Sequence, residues 1–269
     1  MKEFRLALAI QKSIPGAFEK NMAATLQGIA QAALEKADMV VFPEMNLTGY
    51  VAGGKIRSIA KPLNSPLVDA LANAADRFDM AILAGLAELD ENHEIYATHL
   101  VFSPQKPVQW YRKIHRAPNE QKYFSPGNAV EIFTHKGLKF GIQLCYDAHF
   151  PELSTAMALK GADIIFIPHA SPRGSSLEKY RSWMRHLTAR AFDNGVFVAA
   201  VNQTGDNTSG LVFPGLALLI GPDGNLVSKW LDPQEKIHLM DMDLTALDRV
   251  RSHRMRYFLP HRRTDLFGP

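Results

Sequence analysis

The chain has 269 residues, 46% of them hydrophobic, with a formal net charge of +3 and one cysteine. That length and apolar content suffice for one sizeable core, and a single α/β domain over 1–269 is expected. The small charge gives no ground for nucleic-acid binding, no apolar run reaches the roughly 18–20 residues of a membrane helix, and a lone cysteine excludes an intrachain disulfide, which suits a reducing cytoplasm.

The segment Met1–Ile10 enters an alternating strand over Phe4–Ile10 rather than the apolar region of a signal peptide. An amphipathic helix is predicted over Ala17–Lys36, then an apolar strand from Ala37 that ends at Pro43-Glu44, with Asn46–Tyr50 as a turn. Ser65 and Pro66, as N-cap and first helical residue, open a helix to about Phe78. Strands follow at Met80–Glu88, Ile95–Phe102 and Pro107–Tyr111, the last leading into Lys113. Phe140–Leu144 is a short buried strand before Cys145, and Pro151-Glu152 begins a helix that stops at Gly161. After an apolar strand at Asp163–Pro168, Ser175–Glu178 opens a long helix to Asn194, with Gly195 as its stop. Strands at Val196–Asn202, Leu216–Ile220, Leu226–Trp230 and Lys236–Asp241 complete the pattern, with Gly221–Gly224 as a turn and no internal repeat. Strands alternating with helices in this way imply two packed sheets covered by helices.

Three polar residues sit just past the carboxyl ends of predicted strands: Glu44, Lys113 and Cys145. That edge is where α/β sheets bind ligands and do chemistry. Backbone N–H groups and the positive end of a helix dipole there are expected to lower a thiol pKa. Each residue alone has an ordinary reading: a free cysteine is a small core hydrophobe, Glu44 begins a loop, and Lys113 belongs to a solvated basic cluster in Tyr111–Arg116. Together they are the types needed for base, oxyanion partner and nucleophile.

The segments Phe42–Tyr50, Tyr111–His115 and Cys145–Glu152 resemble the three catalytic blocks of the nitrilase superfamily, the carbon–nitrogen hydrolases. Glu120–Gly127 resembles the segment carrying that family's second glutamate. Ala189–Asn194 followed by Phe197–Gly205 resembles its late helix and strand, so five blocks occur in family order across nearly the whole chain. The resemblance implies a four-layer α-β-β-α sandwich and a thiol hydrolase of a non-peptide amide or N-carbamoyl compound. Glu44 would be the base, Cys145 the nucleophile, and Lys113 with the Tyr146 backbone N–H the oxyanion donors. Glu120 would position substrate and hold Lys113, although an exposed loop carboxylate beside Lys122 is its plainer reading.

For the pocket, the resemblance places Tyr50, Tyr146, His149, His169 and Asn202 in the lining. Cys145-Tyr146-Asp147 is closer to the amidase and carbamoylase branches than to true nitrilases. His149 stands where omega-amidases usually carry an arginine, and Arg173 is a candidate substitute charge or an ordinary exposed loop residue. A nitrilase acting on a small nitrile, an acyltransferase and an inactive scaffold are the alternative functions of the same fold.

Ten histidines raise the question of metal, yet none forms a ligand motif, so neither metal nor other cofactor is expected. A Cys–His hydrolase ranks below the Glu–Lys–Cys reading because no Gly-x-Cys-x-Gly elbow surrounds Cys145. The Arg-rich segment Arg249–Arg263, interleaved with Met255, Tyr257, Phe258 and Leu259, has the composition of an interface. It predicts a homodimer or larger even-numbered oligomer, with packing on its own protomer as the competing expectation.

Overall fold

A computed structural model describes residues 3–51 and 53–267. In chain order it contains β1 (Glu3–Ile10), α1 (Phe18–Leu34), β2 (Met39–Val41), α2 (Ile56–Ile59), α3 (Pro66–Phe78), β3 (Ala81–Leu89), β4 (Ile95–Phe102) and β5 (Gln109–Arg112). The second half contains β6 (Phe133–His135), β7 (Leu138–Ile142), a 3-10 turn (Cys145–His149), α4 (Pro151–Leu159), β8 (Ile164–His169), α5 (Ser176–Asn194) and β9 (Phe197–Asn202). It ends with β10 (Thr204–Asp206), β11 (Val212–Pro214), β12 (Ala217–Ile220), β13 (Leu226–Trp230), β14 (Lys236–Asp243), α6 (Thr245–Arg251), a 3-10 turn (Leu259–His261) and α7 (Thr264–Phe267).

The strands form two six-stranded sheets, ordered β14-β1-β2-β3-β4-β5 and β13-β12-β9-β8-β7-β6, beside a small β10-β11 hairpin. Each large sheet has three parallel strands, β1-β2-β3 and β7-β8-β9, flanked by antiparallel ones. The topology thus repeats although the sequence shows no repeat. The parallel pairs require crossovers, which α1 and α3 supply in one half and α4 and α5 in the other.

Side-chain size along β1 explains the layering. Phe4, Leu6, Leu8 and Ile10 join one core with Phe140, Ile142 and Phe166 of the facing sheet. Ala7 and Ala9 alternate with them and join a second core with Ile29, Val68 and Leu71 of α1 and α3. Large residues therefore fill the space between sheets, and alanines let the helices approach. The order is helices, sheet, sheet, helices, in agreement with the expected sandwich.

The main elements agree with expectation and differ at their ends. β2 stops at Val41, so Glu44 lies in a turn rather than on the strand. β5 is shifted to Gln109–Arg112, which places Lys113 directly after it. A full 3-10 turn separates Cys145 from α4. The three-residue strands β6, β10 and β11 were not anticipated, being too short to display a period. The Arg-rich segment folds onto its own body in part: Arg251 pairs with Asp163 at 2.7 Å and donates to the Ala162 carbonyl at 2.7 Å. Tyr257 packs over Gly195, whereas Phe258 packs tilted against Phe192 at a centroid distance of 5.4 Å and stays 41% exposed.

Candidate active site

The carboxyl ends of the parallel strands of both sheets converge on one place. Glu44 follows β2, Cys145 follows β7, Ala170 follows β8 and Gln203 follows β9, while Lys113 enters from β5. Lys113 Nζ donates to Glu44 Oε1 at 2.8 Å and lies 2.9 Å from Glu120 Oε2. The three side chains are 1–3% exposed. Glu120 is therefore no exposed loop carboxylate; it also accepts the Tyr50 hydroxyl at 3.0 Å and the Ala117 N–H at 2.8 Å.

Backbone contacts fix each member. The Lys113 N–H donates to the Ala97 carbonyl, and its own carbonyl accepts the Gly127 N–H at 2.7 Å. A Cβ on Gly127 would lie 2.1 Å from the Arg112 carbonyl oxygen, so only glycine allows that approach. On the other side, the Glu44 carbonyl accepts from Gln203 Nε2 at 2.7 Å, and Glu44 Oε2 accepts the Ala170 N–H at 3.0 Å. Gly85 of β3 lets the Glu44 turn lie flat on the strand, since a Cβ there would meet the Met45 nitrogen at 2.5 Å.

Cys145 has φ +46°, in the left-handed region that a non-glycine residue occupies at a cost. Asp147, fully buried, holds that turn: Oδ2 accepts the Leu144 N–H at 2.9 Å and the Tyr111 hydroxyl at 2.8 Å, and Oδ1 accepts the His115 N–H at 2.7 Å. One carboxylate thus ties the Cys145 turn to both sides of Lys113. Arg190 of α5 caps the same turn by donating to the carbonyls of Ala148 and His149 at 3.0 and 3.2 Å. Sequence reasoning assigned neither residue a role; the position of Asp147 two residues after the thiol was the available signal.

Two carboxylates share one ammonium in a dry site, and the charges respond accordingly. Burial raises the Glu44 carboxyl to about 7, with Lys113 opposing and Glu120 reinforcing the shift. Burial works against the Lys113 ammonium, but Glu44 and Glu120 outweigh it and hold its pKa well above the ordinary lysine value. Burial and the Glu44 charge push the Cys145 thiol up to about 12, against the pull of Lys113. This corrects the expectation of a lowered thiol: desolvation and two nearby carboxylates exceed any backbone dipole.

The remaining candidates separate. Tyr50 is buried against Glu120, and Tyr146 packs edge-on to His149 at 5.5 Å. His149 is exposed, next to His186 at 4.6 Å between ring centroids. His169 is buried and stacked on Trp183 at 3.9 Å, with both ring nitrogens unpartnered. Asn202 accepts the Ser171 N–H at 2.9 Å and donates to the Ser171 carbonyl at 3.0 Å, so its amide clamps the loop after β8. Arg173 is exposed in that loop. Among the described residues no group of three or more His, Cys, Asp or Glu is placed to hold a metal ion, and no helix is long and apolar enough to cross a membrane.

Relatives share this arrangement of chain. An (R)-stereoselective amidase from a Pseudomonas species is 31% identical over 250 residues, covering 92% of this chain and 87% of the relative. A 2-oxoglutaramate amidase of Bacillus subtilis is 31% identical over 218 residues, covering 80% and 82%. The solved structure of a carbon–nitrogen hydrolase from Helicobacter pylori superimposes with a TM-score of 0.86 at 26% identity, over 99% of this chain and 97% of that one. Residues 5–252 match the family described as carbon–nitrogen hydrolase. A match running through both sheets and every strand end of the site makes the chain a member of the carbon–nitrogen hydrolase family.

Proposed function

We propose that the chain is a thiol hydrolase that cleaves the carbon–nitrogen bond of a small non-peptide amide or N-carbamoyl compound through a Cys145 acyl-enzyme. The observation that carries this reading is the buried Glu44–Lys113–Glu120 cluster at the strand ends, on the edge where the one cysteine follows β7. The amidases among its relatives act on bonds of this class.

With the thiol near 12 and Glu44 near 7, the resting site holds a neutral thiol rather than a thiolate. Glu44 therefore takes the proton as sulfur bonds to the carbonyl carbon, not beforehand. The oxyanion that develops meets the Lys113 ammonium and the Tyr146 N–H, donors of a kind typically worth about 2.7–4 kcal/mol each. Glu44 passes its proton to the leaving nitrogen, releasing ammonia or an amine, and then takes a proton from the water that attacks the thioester. Glu120 keeps Lys113 charged and placed. A reducing, cytoplasmic setting goes with this reading, because the nucleophile must remain a free thiol.

The test is ammonia release from a panel of small amides, ω-amides, N-carbamoyl compounds and nitriles, followed across pH. Glu44 works only when deprotonated, so kcat/KM should fall below pH 7 and drop to about a tenth of its plateau at pH 6. No alkaline fall is expected below the ordinary lysine range, since Lys113 titrates well above it. Turnover of nitriles alone, or an acid limb near the ordinary carboxylate value of 4.5, would overturn this assignment.

We also propose a homodimer or larger even-numbered oligomer. Phe192 and Phe258 form an exposed aromatic pair, with Leu159 and Leu177 also exposed on α4 and α5. Sedimentation at micromolar concentration should give an even multiple of the 29.9 kDa chain. A fully active monomer would remove the oligomer from the reading.

A further inference from the structure

One face of α5 lies over the Cys145 turn, and the mechanism assigns none of its side chains a chemical step. Lys179, Trp183, His186 and Arg190 recur at the helical spacing that puts them on one side. Lys179 donates to Ser171 Oγ, Trp183 stacks on His169 at 3.9 Å, His186 lies 4.6 Å from His149 between ring centroids, and Arg190 caps the turn itself. His169 ends β8, beside the β7 strand that leads to Cys145, and the next residue, Ala170, holds Glu44 through its N–H. Histidines thus gather between α5 and the strand ends of the site.

His169 is the buried member, 2% exposed, and neither of its ring nitrogens has a partner among the described residues. Buried Trp183 covers a face of the ring, so polar contacts can form only at its edge. His186 Nε2 is buried and unpartnered as well, and that ring is close enough to act on His169. His99 also lacks partners, but burial alone shifts it, so the charges of the site do not reach it. Lys113, Lys179, His186 and His149 all act on His169.

Burial first, and then those neighbours, hold His169 well below the ordinary histidine value, and burial brings His186 down to about 4. Both rings are therefore neutral at pH 7, and a neutral imidazole carries one N–H donor and one lone-pair acceptor. A desolvated donor and acceptor left unpaired are costly, so the ligand that suits this edge must both donate and accept. A carboxylate only accepts, an ammonium only donates and is repelled by Lys113 and Lys179, and a methyl group does neither. A hydroxyl does both.

We propose that His169, with His186 beside it, is a hydrogen-bonding subsite for a neutral hydroxyl in the acyl part of the substrate. The enzyme then selects small hydroxy-amides over amides of the same shape that carry a methyl group in its place. This rests on the amide-hydrolase reading and names its substrate class.

The test sets lactamide against isobutyramide, 3-hydroxypropionamide against butyramide, and 4-hydroxybutyramide against valeramide, each pair exchanging a hydroxyl for a methyl. Wild type should favour the hydroxylated member of at least one pair by about tenfold or more in kcat/KM, as expected when a buried donor and acceptor would otherwise go unpaired. His169→Phe keeps a ring for Trp183 and removes both nitrogens. It should cut that ratio by about tenfold, chiefly through KM, and His169→Gln, which restores a donor and an acceptor, should recover part of it. A ratio near one in all three wild-type pairs would mean that water alone satisfies the ring, and an unchanged ratio in His169→Phe would place the selectivity elsewhere. Either result overturns the proposal while leaving the hydrolase reading intact. Imidazole nitrogen NMR on Cys145→Ala reads the contact without turnover: a hydroxy-amide should shift the His169 ring nitrogens and its methyl counterpart should not. If none of the six amides is hydrolysed, the hydrolase reading fails for this class, yet that selective shift still supports the subsite. No shift with any of the three hydroxy-amides, or equal shifts within every pair, rejects it.

Discussion

Lys113→Ala is expected to abolish turnover and to destabilise the fold by about 3–5 kcal/mol at neutral pH, the cost of stranding buried charge without its partner. The substitution leaves Glu44 and Glu120, both nearly inaccessible, with no ammonium between them. Neither can regain water without opening the turns after β2 and β5. Glu44 would instead retain its proton, raising its folded-state pKa above the ordinary 4.5 still further than it already stands. A carboxyl whose pKa is higher in the folded than in the unfolded chain contributes stability that is present below the unfolded value and lost as pH rises through the folded one. The deficit should therefore be small near pH 4.5 and grow towards and beyond pH 7. Urea unfolding of wild type and variant at pH 5 and pH 7.5 measures it, and a midpoint difference that does not widen with pH would sink the argument. In the proposed mechanism the lost oxyanion donor alone accounts for a decrease of about 10²–10³ in kcat, and the unbalanced Glu44 and Glu120 carboxylates account for the rest.

Glu44→Gln should separate catalysis from stability in the opposite sense. In the proposed mechanism acylation and deacylation both need the base, so kcat is expected to fall by about 10⁴, the upper range for a general base. Stability should change little. Ionised Glu44 is itself a cost above pH 7, because its folded pKa lies near 7 against 4.5 for the free group, and the amide removes that charge. Lys113 keeps Glu120, so the remaining pair is balanced. Against this, glutamine has one acceptor oxygen where the carboxylate serves both Lys113 and the Ala170 N–H, and one lost hydrogen bond costs about 1–3 kcal/mol. The two terms offset, and thermal unfolding at pH 8 should place the variant within about 2 kcal/mol of wild type. Destabilisation as large as that of Lys113→Ala would show that Glu44 is chiefly structural. Near wild-type turnover would remove it as the base.

What the sequence determined by itself is local. Alternating large and small residues in Phe4–Ile10 fix which face of β1 meets the other sheet. Ser65-Pro66 and Ser175–Glu178 mark the starts of α3 and α5 as expected, although only Ser175 makes the side-chain cap bond, accepting the Glu178 N–H; such start signals involve only neighbouring residues. Glu44, Lys113 and Cys145 stood out for the same reason: each interrupts or follows an apolar run, and the end of such a run is the end of a strand.

Tertiary structure alone decided what those residues face. Lys113 meets Glu44 across 69 residues of sequence, and Glu44 meets the Ala170 N–H across 126. β1 finds β14 more than two hundred residues away, closing the sheet that carries Glu44. The thiol pKa moves in the direction opposite to the local expectation because desolvation is a property of the assembled site. Asn202 resembles a pocket residue in sequence but directs its amide to Ser171, and Asp147 acquires its function only when the turns after β5 and β7 come within reach of one carboxylate. Periodicity and capping act between neighbours along the chain, whereas charge pairing and solvent exclusion act between neighbours in space.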